Sequence, residues 1–163
     1  MSIIKLMKAT LYGILITFLV NGLVSYANND TTLTYDQQII AMTILGEARN
    51  QKEEGMYAVG CVIQARMGST KTGAQVCLKN NGKVWQFSCW NPKDPNRAKL
   101  RGLLNSNNKQ AQYAKRLALN IGKLQTSFVN HADHYCTINS RPYWTKNKKA
   151  VKIIRQHKFY KLK

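Results

Sequence analysis

The spacing of apolar residues changes three times along this chain. From Ala9 to Val24 they run almost unbroken, interrupted by Thr10, Gly13, Thr17, Asn21 and Gly22. From Thr34 to Met67 they recur at helical spacing, and from Thr126 onward Tyr, His and Trp crowd together without a clear period. Thr34-Tyr35-Asp36-Gln37 has the form of a capping box, in which the Thr hydroxyl accepts an early backbone N–H and Gln37 reaches back. Ile40, Ile44 and Leu45 follow, which predicts a helix over Tyr35 to Ala48. Met56, Val59, Ile63 and Met67 recur at spacings of three and four. Glu53 and Glu54 suit a helix N-terminus, and Gly68 a stop. A second helix is therefore predicted over Glu53 to Met67. Residues 68–97 are rich in Gly, Asn, Pro and Asp, which is turn chemistry. Asn81-Gly82 there predicts a hairpin between Val76–Leu78 and Val84–Phe87. A short helix over Ala98 to Leu104 and a longer one over Lys109 to Ile121 follow. Val151 to Tyr160 fits either a strand or a last helical turn.

Composition adds an organisation. The 163 residues suit one domain of ordinary size. Residues 1–27 read as a secretory leader: Lys5 and Lys8, the apolar run, then Ser25-Tyr26-Ala27 with small residues where a signal peptidase cuts. The run is short for a membrane span, which needs ~20 residues, although an uncleaved anchor is the alternative. Cleavage leaves residues 28–163 as one catalytic domain. The chain carries 25 Lys and Arg against 7 Asp and Glu, a formal net charge of +18. Losing Lys5 and Lys8 lowers this to +16. That charge favours anionic envelope polymers or a membrane face as partners. Cys61, Cys77, Cys89 and Cys136 permit disulfides in an exported protein, with Cys77–Cys89 the favoured pair and Cys61 fitting a buried thiol.

Three clusters carry candidate chemistry. Glu47 ends an apolar helix within Gly46-Glu47-Ala48-Arg49, and a carboxyl partly withdrawn from water can serve as a general acid. The alternative is a solvated surface Glu. The run Gln86-Phe87-Ser88-Cys89-Trp90-Asn91 mixes aromatics with amides, as a carbohydrate surface does, or as a core beside a turn does. His131-Ala132-Asp133-His134-Tyr135-Cys136 raises a zinc hypothesis, but its spacing is not a strong zinc signature. Hydrogen-bonded histidines and no metal are expected.

Taken in order, these segments resemble the cell wall hydrolases of the spore-cortex-lytic type. The resemblance rests on Ile44 to Arg49 with Glu54-Gly55 and Ala58-Val59, on Val76-Cys77 with Gln86 to Trp90, and on Ala132 to Tyr135 with Pro142, Trp144 and Ile154 to Tyr160. One departure is Asp133-His134-Tyr135-Cys136, where the family often reads closer to Thr-His-Tyr-His. The resemblance implies an α+β, lysozyme-like fold, mostly helical with a small β-hairpin and loop lobe. It implies cleavage of the peptidoglycan glycan strand by lytic transglycosylation, with Glu47 as the catalytic acid and no cofactor. Gln86, Phe87, Ser88, Trp90, His134, Tyr135, Trp144 and Tyr160 become candidate substrate-binding residues. Glu54 becomes a helper or a structural carboxylate. A monomer acting on peptidoglycan is expected, with no nucleic acid as partner. The rival readings are a water-using muramidase, a zinc amidase built on His131 and His134, and a basic binding module without catalysis.

Overall fold

The computed structural model describes residues 32–82 and 84–162, so the leader read over residues 1–27 lies outside the described residues. Helix α1 (Tyr35–Ala48) begins at the expected capping box: Thr34 Oγ1 accepts from Gln37 N at 3.3 Å, and Gln37 Oε1 accepts from Thr34 N at 2.9 Å. Every residue from Ile39 to Leu45 is buried. Helix α2 (Lys52–Met67), α3 (Gly73–Cys77), α4 (Leu100–Asn105) and α5 (Lys109–Leu119) all pack against α1, which explains why it is apolar on every side. Among the described residues no helix is long and apolar enough to cross a membrane.

The hairpin expected around Asn81-Gly82 is replaced by a helix and a loop. Val76 and Cys77 belong to α3, and a single bridge joins Asn80 to Trp85. Helix wins because its start is doubly capped. Thr72 and Gln75 form a second capping box. Asp36 accepts from Gly73 N at 3.0 Å and from Ala74 N at 2.7 Å, satisfying two donors that a helix start leaves free. The Asn81-Gly82 turn itself survives, with Gly82 at φ 84°.

The C-terminal aromatic segment forms a three-stranded antiparallel sheet of order β1-β3-β2, from β1 (His134–Thr137), β2 (Lys152–Ile154) and β3 (His157–Tyr160). The ambiguity over Val151 to Tyr160 thus resolves as a tight hairpin turning at Arg155-Gln156. Gln156 N donates to Gln51 Oε1 at 3.1 Å, pinning the hairpin to the α1–α2 connection. Asp133 anchors the other end. Its Oδ1 accepts from Leu162 N at 2.8 Å and pairs with His134 Nδ1 at 3.0 Å. Burial pushes this carboxyl up, but the hydrogen bonds from His134 and Leu162 and the His134 charge outweigh it and hold its pKa below the usual range.

The expected Cys77–Cys89 disulfide is not formed; all four cysteines are free thiols. Cys61, Cys77 and Cys89 are packed as small apolar side chains. Burial raises all three thiols, Cys61 and Cys77 to about 12. Cys89 is pressed against α1 at Gly46, where an added Cβ would stand 2.5 Å from Cys89 Cβ and 2.8 Å from its Sγ.

Two outcomes follow from this packing. Gly46→Ala gains about 1 kcal/mol of helix propensity but meets an overpacking cost of about 1–3 kcal/mol. The variant should therefore unfold at a lower temperature, measured by circular dichroism; an unchanged or higher Tm contradicts the close approach. Asp133→Asn should lower stability by about 1–3 kcal/mol at pH 7. A depressed folded-state pKa stabilises above the unfolded value of about 4 and ceases to as pH falls through the folded value. Urea titrations of the two proteins should therefore converge as pH falls below the unfolded value and on through the lower folded one, and a gap that stays constant as pH falls is the contrary result.

Candidate active site

The last turn of α1 carries Glu47 to the wall of a cavity of about 560 Å³. Two other elements meet its carboxyl. The turn Ser88–Trp90 approaches over Gly46 and donates from Cys89 N to Glu47 Oε1 at 2.8 Å. Ser88 Oγ donates to the same oxygen at 3.1 Å. From the sheet, the Tyr135 hydroxyl donates to Oε2 at 2.9 Å. Side chains alternate along β1, so Tyr135 points opposite to His134 and Cys136. Burial, then the Glu47 charge and its hydrogen bond, raise the Tyr135 hydroxyl well above its ordinary pKa, keeping it a donor at neutral pH.

Arg66, in the last turn of α2, also lines this cavity. Its Nε donates to the backbone carbonyl of Asp133, and its guanidinium lies 4.9 Å above the Phe87 ring. Burial lowers its pKa below the ordinary guanidinium value, opposed by Tyr135, Asp133, Cys77 and Glu47. Sequence reasoning passed over Arg66. The signal was present, since Val59, Ile63 and Arg66 continue one helical stripe. A charge in register with a buried stripe marks a site rather than a surface. His157, which follows the His131–Cys136 cluster in the sequence, joins the Glu47 site instead. It lines the cavity, 4.9 Å from the Tyr135 ring, and burial lowers its pKa so that it is neutral at pH 7.

The remaining candidates divide. Gln86, Ser88, Tyr135 and Trp144 line the Glu47 cavity, as do Trp85 and Asn91. Phe87 does not face it: at 1% exposure it is a core residue beneath Arg66 and Tyr135. Trp90 packs against the core and donates from Nε1 to Thr43 Oγ1 at 2.9 Å, tying its turn to α1. Tyr160 is buried edge-on to Trp144, with ring centroids 5.4 Å apart, and supports it from behind. The His134 ring lies tilted against Trp144, with centroids 5.3 Å apart, and lines a neighbouring cavity. Glu54 pairs with Arg155 at 2.9 Å on the surface, away from Glu47. Arg49 instead donates to Asn96 Oδ1 at 2.7 Å. His131 turns to Thr126 and His134 to Asp133, and among the described residues no three His, Cys, Asp or Glu side chains are grouped to hold a metal.

Comparison with known proteins agrees with this architecture. The catalytic domain of the Bacillus cereus SleB protein, solved by crystallography, superposes with a TM-score of 0.57 at 20% identity, covering 83% of this chain and 100% of that one. That likeness establishes the shared α+β fold. A search of the curated proteins finds no match. The family model described as Cell Wall Hydrolase matches residues 50–160, a stretch that begins just after Glu47 and holds Arg66, Ser88, Tyr135, Trp144 and His157. With most of its length matched in this way, the chain belongs to the cell wall hydrolase family, enzymes that degrade peptidoglycan.

Proposed function

We propose that this protein is an exported lytic transglycosylase, cutting the glycan strand between N-acetylmuramic acid and N-acetylglucosamine with Glu47 as acid and then base. One observation carries the reading: Glu47 is the single carboxylate among the residues lining its cavity. Hydrolysis by the common two-carboxylate schemes needs a partner about 5–9.5 Å away. The other described carboxylates have different surroundings. Asp36 caps α3, Glu54 pairs with Arg155, Asp94 accepts from Asn96 N, and Asp133 anchors the sheet. Glu53 is exposed at the start of α2.

One carboxyl suffices when the substrate supplies the nucleophile. Protonated Glu47 gives its proton to the glycosidic oxygen as the C1–O bond breaks. The muramic acid C6 hydroxyl then attacks C1, and the Glu47 carboxylate takes its proton, closing a 1,6-anhydro ring. The two fragments together have the mass of the uncut strand, because no water is added. Ser88, the Cys89 N–H and Tyr135 orient the carboxyl and stabilise the carboxylate that forms once its proton has left. Trp85 and Trp144 offer aromatic faces to the sugar rings. The secretory pattern of residues 1–27 supports export, and the net charge of +16 left after its removal favours the anionic envelope.

Digestion of purified sacculi should release muropeptides ending in 1,6-anhydromuramic acid, identified by mass spectrometry. Glu47→Gln should lower their rate of release about 10²–10⁴-fold, the usual contribution of a general acid. Products heavier by one water would establish a muramidase instead, and freed stem peptides an amidase. Tyr135→Phe, which keeps the ring and removes the donor, should lower kcat about tenfold with little change in KM. An unchanged kcat would remove Tyr135 from the machinery.

A further inference from the structure

A second cavity, of about 720 Å³, adjoins the Glu47 cavity. Arg66 and Gln86 line both, so the two are neighbours across a shared wall. The second one is basic. Lys71 and Lys79 stand exposed on its lining, and neither ammonium has a protein hydrogen-bond or ion-pair partner among the described residues. Arg66 adds a third cation from below. The one carboxylate in the lining, Asp133, already holds His134 and the Leu162 N–H through Oδ1.

A neutral glycan gives no reason for such charge. The muramic acid residues of the same polymer do, because each bears a peptide with free carboxylates on the lactyl group at C3. We propose that this second cavity is a subsite for the peptide stem, which Lys71 and Lys79 recognise through its carboxylates. This rests on the glycan-cleaving reading, which places a muramic acid at Glu47 and its substituent beside it. The shared wall then separates the sugar being cut from the peptide it carries. The chain's scarcity of acids elsewhere does not account for the feature, since the two lysines flank a concave space rather than a flat face.

The test compares kcat/KM on stem-bearing glycan strands with that on strands stripped of their peptides by an amidase. The wild-type protein should favour the stem-bearing strands about tenfold, the scale of two exposed ion pairs. Lys71→Glu combined with Lys79→Glu should abolish that preference while leaving cleavage of stripped strands and the Tm unchanged. Lys71→Arg with Lys79→Arg should keep it. A double Glu variant that retains the wild-type preference overturns the proposal. A free stem tetrapeptide, titrated by calorimetry at low salt, gives a readout independent of cleavage. If no glycan is cut at all, the catalytic reading fails by itself. Tetrapeptide binding that the double Glu variant loses then still supports the subsite, and absence of binding overturns it. Binding of poly(glycerol phosphate) in place of the tetrapeptide also overturns it.

Discussion

The close approach of the Ser88–Trp90 turn to α1 is the constraint on which the site depends. It is possible because position 46 has no side chain. With a hydrogen there, Cys89 lies against the helix, and its backbone N–H reaches the carboxyl of the next residue. Trp90 completes the attachment by donating to Thr43 one turn earlier in the same helix. A backbone donor held between two fixed contacts cannot rotate away, as a side-chain donor can. The position of Glu47 is therefore set by packing, and Ser88 adds to an orientation already imposed.

A helix surrounded by others is an unusual place for a carboxylate, because burial penalises charge unless donors compensate. Glu47 escapes that penalty by standing at the helix end, where the core opens into a cavity. The sheet supplies the compensation from the other side. Its β1 strand is fixed by pairing with β3 and by the Asp133 anchor, and the alternation of the strand turns Tyr135 toward Glu47. Arg66 extends the same arrangement. It holds the carbonyl that precedes β1 and stacks on Phe87 beside the 88–90 turn, linking α2 to both elements that meet Glu47. Phe87, Trp90 and Tyr160 thus contribute to the site by packing behind the residues that line it.

Much of the helical part was legible because local rules and tertiary contacts agree there. The Thr34 capping box, the α1 span and the end of α2 at Gly68 are dictated by hydrogen bonds between residues three or four apart. The hairpin expected between Val76–Leu78 and Val84–Phe87 failed for two reasons, one local and one distant. The Thr72–Gln75 capping box lies within the segment itself, and Asp36, nearly forty positions upstream, adds the second cap that tips those residues into a helix. The strand pairing of His134 to Tyr160 also joins distant residues and carries no local period.

The sequence by itself determined the two long helices, the candidate carboxyl at the end of the first, and the aromatic and amide residues in its neighbourhood. Those features depend on residue type and short spacing, and both are printed in the chain. Only the tertiary structure decided which of those residues face the cavity. It moved Phe87 into the core, set Tyr160 behind Trp144, brought Arg66 and His157 to the cavity, and kept the cysteines as thiols. Facing is a property of how separate elements pack, and no spacing within one element encodes it. The donors around Glu47 come from segments 41, 42 and 88 positions away, so their convergence exists only once the chain has folded.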